Sequence, residues 1–208
     1  MGDMRVLVAC EESGRVRDAF LAKGHDAISC DLQPTSTPGP HYQGNVFDLL
    51  DEEWDLMIAH PPCTYLANSG VRWLYNDDGT DNVDRRENVK LAAGFFAALY
   101  EQYHIPMVCV ENPIPHCHAE LPAYTQLIQP WQFGGNYSKA TCFWLRGLRP
   151  LVPSVLTKPE HIEHACHLEP PGPDRQKNRS KTYPGIANAI AAQWGGDWQP
   201  EFSLSQTA

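Results

Sequence analysis

An alternation of short apolar runs with helical spacing constrains this chain most, because each run closes on a turn rich in chemistry. Residues 5–10 (RVLVAC) form a β-type run, residues 15–23 read as a helix ended by Gly24, and residues 27–31 (AISCD) read as a second buried strand. A breaker-rich stretch follows over residues 33–43. Residues 54–59 (WDLMIA) make a third strand and residues 105–110 (IPMVCV) a fourth. Between these two, residues 85–103 carry Val89, Leu91, Ala92, Phe95, Phe96, Leu99 and Tyr100 on or near one helix face. Strand, helix, strand, given twice, predicts an α/β fold with a mostly parallel sheet flanked by helices.

In such sheets ligands sit beyond the carboxyl ends of the strands. The first strand runs into Glu11, Glu12, Ser13 and Gly14, which are able to cap the following helix. The loop is not GxGxxG, and a plain strand-to-helix turn accounts for it equally well. Asp31 ends the second strand, where an acidic side chain in this architecture binds a ribose hydroxyl. The third strand ends in HPPC: Pro61 and Pro62 cannot continue a ladder, so the chain turns out of the sheet and presents Cys63 on a stiff platform. Most cysteines are small buried residues, and the place of Cys63 at the ligand edge argues for a reactive one. Glu111, Asn112 and Pro113 follow the fourth strand.

A Gly-containing loop, an acidic strand end, "PPC" and "ENP", in that order over roughly residues 4–113, resemble the catalytic core of the S-adenosylmethionine-dependent cytosine C5-methyltransferases. The resemblance implies the Rossmann-like class I methyltransferase fold. It implies Cys63 as nucleophile and Glu111, 48 residues on (111 − 63), as the carboxyl that grips the base. A thiolate adding to C6 turns C5 into an enamine-like carbon, splitting one hard step into easier ones. N3 gains electron density as it does so, and a protonated carboxyl there stabilises the adduct. Glu111 is therefore expected to hold a proton near neutrality in a desolvated pocket. No metal is required.

For the cofactor, S-adenosylmethionine, the resemblance implies Ala9, Cys10, Glu11, Ser13 and Gly14 of the first loop, Asp31 on the ribose with Leu32 beside it, Asn45 and Val46 near the adenine, and Pro61. Asn45 stands where the family usually has an aspartate, and the first loop lacks the family's aromatic and double-glycine pattern. For the substrate it implies Pro62, Asn112 and Pro113, with Lys139 nearest to the family's base-pocket arginine. Arg175, Lys177, Arg179 and Lys181 form a basic cluster, from which Arg175 and Arg179 are assigned to the nucleotide phosphate; a solvated loop is the ordinary alternative. Residues 186–194 read as a closing helix.

At 208 residues the chain suits one domain: a cofactor half over about residues 1–60, a catalytic and base-binding part over about 60–150, and a C-terminal loop with closing helix over about 151–196. Its formal net charge of −9 disfavours a partner that requires many phosphates to be neutralised. Enzymes that flip a base from duplex DNA carry a sizeable reader, and roughly 70 residues between Glu111 and the closing helix leave no room for one. A free cytosine nucleotide, CMP or dCMP, is thus the expected substrate. The alternative is DNA, single-stranded or duplex, as in compact phage-type enzymes, and a third is a catalytically silent nucleic-acid-binding relative. His161, His164, Cys166 and His167, with His116, Cys117 and His118 upstream, are zinc-capable, but their spacing matches no closed zinc motif. Seven cysteines without a repeating spacing point to free thiols. With no apolar run near the roughly 20 residues that span a bilayer, and Met1 to Arg5 leading straight into a strand, no membrane association and a cytoplasmic location are expected.

Overall fold

The computed structural model describes residues 3–196; Met1 and Gly2, on which the no-leader expectation leans, lie outside the described residues. Its frame is a seven-stranded sheet of β1 (Arg5–Ala9), β2 (Asp26–Asp31), β3 (His41–Gln43), β4 (Leu56–Ala59), β5 (Met107–Asn112), β6 (Gln126–Ile128) and β7 (Thr141–Arg146). The spatial order is β3-β2-β1-β4-β5-β7-β6. Strands β1 to β5 pair in parallel, and β7 pairs antiparallel to both β5 and β6. The helices are α1 (Arg15–Leu21), α2 (Val83–Tyr100), α3 (Ala165–Leu168), α4 (Arg175–Ser180) and α5 (Pro184–Trp194). This is the mostly parallel, Rossmann-like sheet flanked by helices that the alternation and the resemblance imply.

Both faces of the central strands are covered, so these strands are apolar throughout instead of alternating. Leu7, Met57 and Val108 pack on one face against Val89, Phe96 and Leu99 of α2. Val6, Val8 and Ile58 pack on the other face against Val16 and Phe20 of α1 and Ile186, Ile190 and Trp194 of α5. Each such large side chain contributes about 2 kcal/mol by leaving water. Helix α2 starts where Asn82 accepts a hydrogen bond from the Arg85 amide at 3.0 Å, and α5 starts with Pro184 at its first position.

The observed bounds differ from the expected ones in instructive places. Helix α2 begins two residues early, at Val83, because its cap is Asn82, and β4 begins at Leu56 because Trp54 turns back to hydrogen-bond the Leu49 carbonyl. Two short strands were not expected: β3 lies inside the breaker-rich stretch and β6 ahead of β7. Most consequential, β5 runs on through Glu111 and Asn112, paired opposite Phe143 and Cys142, instead of stopping at Val110. Period-two alternation then sends Glu111 to the α5 side with Cys109, and Asn112 to the opposite side.

Candidate active site

The chain runs outward from β1 to β2 and β3, then returns to β4 on the other flank of β1. That reversal is the switch point at which a crevice opens beyond the carboxyl ends of an α/β sheet. The turns after β1 and β4 meet there, where the His60 amide donates to the Ala9 carbonyl at 2.9 Å.

Along the first loop, Cys10 takes a left-handed conformation (φ 58°) and Gly14 another (φ 71°). A side chain at Gly14 would collide with Thr37 and Arg17. Glu11 is buried and closes the N-terminus of α1, its Oε1 accepting from the Val16 amide at 2.7 Å and its Oε2 from the Arg17 amide at 3.2 Å. The Glu11 carboxylate is thereby spent on the helix, leaving the loop backbone to face the crevice. Ser13 donates to the same carboxylate at 3.2 Å. Asp31 ends β2 half-buried, with Oδ1 accepting from the Gln33 amide at 2.8 Å. Beside it Leu32 is 70% exposed, an apolar side chain held out at the ligand edge. Asn45 Oδ1 accepts from the Phe47 amide at 3.2 Å and so caps the short 3₁₀ turn that contains Val46.

Arg17, which no motif in the sequence singles out, is fully buried under this region. Its guanidinium bonds Asp18 at 2.8 Å, Ser29 at 3.0 Å and Thr37 Oγ1 at 2.9 Å, and reaches the carbonyls of Thr37, Pro38 and Pro40. One side chain bolts the proline-rich 33–40 loop to α1 and β2.

The second half of the crevice is built differently. Asn112, fully buried, donates from Nδ2 to the Pro61 carbonyl at 3.2 Å, tying the end of β5 to the Pro61, Pro62, Cys63 turn. Cys63 opens a helical turn in which its carbonyl accepts from the Leu66 and Ala67 amides. Cys63 is exposed, yet the protein atoms around its thiol desolvate it and lift its pKa, and the Glu111 carboxylate lifts it further. Lys139, a backbone hydrogen bond and Arg179 pull it back. Glu111, Lys139 and Arg179 thus all act on the Cys63 thiol. Cys30, Cys109 and Cys142 are buried, and burial with nearby carboxylates pushes Cys10 up to about 12 and Cys30 up to about 11.

Glu111 corrects one expectation. Burial does push its carboxyl up, but the His60 hydrogen bond, the Lys139 charge and the charge that His60 carries when protonated outweigh burial, and the group is held below the usual carboxylate range. His60 Nδ1 lies 3.2 Å from Glu111 Oε2, with the two side chains only 10% and 15% exposed. Glu111 is therefore a carboxylate at neutral pH in the protein alone. Sequence reasoning missed the partner, although His60 closes a strand at the edge where ligands were expected. His60, Glu111, Lys139, Thr141, Phe143, Tyr183 and Ile186 line one pocket. Tyr183 stacks on Tyr137 at 4.9 Å between ring centroids.

The basic cluster divides. Arg175 Nε donates to the Glu169 carbonyl at 2.8 Å, Lys177 pairs with Glu12 at 3.4 Å, and Lys181 donates to Asn178 at 3.1 Å. Arg179 acts on the Cys63 thiol and has a buried Nε without a hydrogen-bond partner. Among the described residues no three His, Cys, Asp or Glu side chains gather as a metal set; His116 bonds the Tyr65 carbonyl and His164 bonds Ser138. No helix among the described residues is long and apolar enough to cross a membrane.

No family model matches the chain. No curated protein matches it either. Among solved structures it is similar to the S. pombe Dnmt2 methyltransferase (14% identity, 68% of this chain and 48% of that one, TM-score 0.38). It is also similar to the Entamoeba histolytica methyltransferase EhMeth (12%, 83% and 61%, TM-score 0.44) and to a mutant of Spodoptera frugiperda DNMT2 (14%, 82% and 60%, TM-score 0.40). The chain spans about half to three-fifths of the length of these proteins. Likeness at this level assigns neither activity nor substrate to the present chain.

Proposed function

We propose that the protein is an S-adenosylmethionine-dependent cytosine C5-methyltransferase that acts on a free cytosine nucleotide, CMP or dCMP. The observation that carries this is that Glu111 and Lys139 line one pocket at the carboxyl edge of the sheet and that both, with Arg179, act on the Cys63 thiol, although the four come from separate segments. A thiol beside a carboxylate and two cations suits addition to a pyrimidine. Cys63 Sγ bonds to C6, and the displaced electrons pass through the ring toward N3. Glu111, ionised in the free protein, accepts a hydrogen bond from the 4-amino group, takes up the proton that Cys63 gives up on attack, and passes it to N3 as the electrons arrive. Lys139, near both Cys63 and Glu111, favours the thiolate and neutralises charge on the ring.

The cofactor groups fit the other half of the crevice. Asp31 offers its second oxygen to ribose hydroxyls, the exposed Leu32 offers an apolar face to adenine, and Asn45 and Val46 border the same side. When bound there, S-adenosylmethionine supplies a methyl group on a sulfonium sulfur. Arg179, with its unpartnered Nε, is the phosphate contact these observations favour over Arg175, whose Nε is engaged. A negative net charge and the short insertion after Glu111, which also has to supply β6 and β7, favour a mononucleotide over a polymer.

One observation favours a second substrate, single-stranded DNA. The 3₁₀ turn Asn68–Leu74 beyond Cys63 exposes Trp73 by 52% under the Arg72 guanidinium, and Tyr75 lies 43% exposed near Arg86. Aromatic rings with arginines are platforms for unpaired bases. Incubation with methyl-labelled S-adenosylmethionine and CMP, dCMP, CTP, dCTP, single-stranded or duplex DNA, with Cys63→Ala as control, decides. Label in a mononucleotide, absent from the variant, is the expected result. Label only in DNA replaces the substrate, and label in none overturns the activity.

A further inference from the structure

Cytosine C5 methylation ends with loss of the C5 proton, and the residues so far assigned do not supply a base for it. Glu111 faces the N3–N4 edge, Cys63 is bonded to C6, and Lys139 as an ammonium has no lone pair. We propose that His60 is that base: Glu111 orients its ring through Nδ1, and Nε2 takes the proton from C5. This rests on the function proposed above.

A carboxylate only accepts hydrogen bonds, so the hydrogen in the 3.2 Å His60–Glu111 contact sits on Nδ1. In the neutral ring the lone pair is then on Nε2. That atom is buried and has no hydrogen-bond partner in the protein, a cost that a buried polar atom normally avoids. The ring is also pinned from behind, through the His60 amide to the Ala9 carbonyl and through the two prolines that separate it from Cys63. It lines the same pocket as Glu111 and Lys139. Carboxylate, imidazole and free ring nitrogen in line is the arrangement by which an acid orients a general base.

The step balances. His60 Nε2 takes the proton from C5 of the adduct, the C5–H electron pair becomes the C5=C6 double bond, and the C6–Sγ pair leaves with Cys63 as thiolate. The imidazolium formed is stabilised by Glu111 and loses its proton to solvent. The titratable and charged groups that share the pocket with His60 are Glu111 on β5, Lys139 ahead of β7 and Tyr183 before α5, and Cys63 follows three residues on in the chain. Burial first, then Cys166 and Tyr137, raise the Tyr183 phenol, which therefore keeps its proton and does not compete as base.

His60→Asn retains a donor to Glu111 and lacks the distal nitrogen. Wild type and variant are each given methyl-labelled donor with dCMP, and separately 5-fluoro-dCMP, which has no C5 proton to lose. The variant is expected to release methylated nucleotide about 10²–10⁴-fold more slowly, to accumulate label covalently on Cys63, and to be trapped by the fluoro nucleotide as fast as wild type. Release within tenfold of wild type overturns the assignment. So does a variant that neither releases product nor is trapped, since its defect then precedes proton removal. A wild type that methylates no cytosine substrate overturns the underlying function instead.

Discussion

The two halves of the crevice handle their polar atoms in opposite ways. On the side of β1 and β2 the protein satisfies itself: Arg17 spends its guanidinium on Asp18, Ser29, Thr37 and loop carbonyls, and Glu11 spends both oxygens on α1. On the side of β4 and β5 it does not, for His60 Nε2, Asn112 Oδ1 and Arg179 Nε are buried without partners. A buried polar atom left unmatched costs about 1–3 kcal/mol, which a fold retains where something else supplies the partner. One half of the edge is thus a finished scaffold, and the other is finished only by its ligand.

Changes on the unfinished side should therefore remove activity and leave stability almost untouched. Cys63→Ala is the extreme case: loss of the nucleophile should lower methyl transfer by about 10⁴-fold or more. Because the residue is exposed, the melting temperature should stay within about 1 °C of wild type, measured by calorimetry beside the label assay. Glu111→Gln comes next, with about a 10²–10³-fold fall in kcat/KM, the usual loss when one preorganised electrostatic contact to the reacting ring is removed. A large loss of stability in either variant would erase the contrast between the halves.

The opposite pattern is expected of Arg17→Met. Removing a buried cation strands its acceptors and costs about 3 kcal/mol, or about 6–12 °C in melting temperature for a chain of this length. The 33–40 loop should also become the first site of limited proteolysis, since Arg17 is what bonds its carbonyls and Thr37. Activity at low temperature should survive, with the loss falling on the KM for the methyl donor. Loss of kcat with unchanged stability would place Arg17 in the chemistry and not beneath it.

What was legible in the sequence follows from the same physics. The strands that became β1, β2, β4 and β5 and the helices α1, α2 and α5 are long or strongly periodic, and their patterns survive without knowledge of neighbours. The three-residue strands β3 and β6 are held by pairing with β2 and β7 at the sheet edges, and no local pattern marks them. Cys63 and Glu111 stood out because rigid backbone flanks both. The charge state of Glu111 did not, since it is set by His60 at the end of β4 and Lys139 ahead of β7, which only the folded sheet brings to it. Arg17 was illegible for a related reason: an arginine on a short helix reads as solvated until the proline-rich loop folds over it.

The smallest expected effect is also the most direct test of that electrostatic coupling. Iodoacetamide reacts with the thiolate, so the pH dependence of Cys63 alkylation, followed by peptide mapping to separate it from exposed Cys117, reports the thiol's pKa. Burial and then the Glu111 carboxylate raise that pKa above the ordinary thiol value, so wild-type alkylation should climb at higher pH than for a free cysteine. Glu111→Gln deletes a negative charge that disfavours the thiolate, and its midpoint should move to lower pH. Lys139→Met deletes a positive charge that favours the thiolate, and its midpoint should move to higher pH. Opposite shifts from two residues on different segments require both to face the sulfur. If the two substitutions instead left the midpoint in place, Cys63, Glu111 and Lys139 would not share a site, and the unfinished half of the crevice would lose its claim to be one.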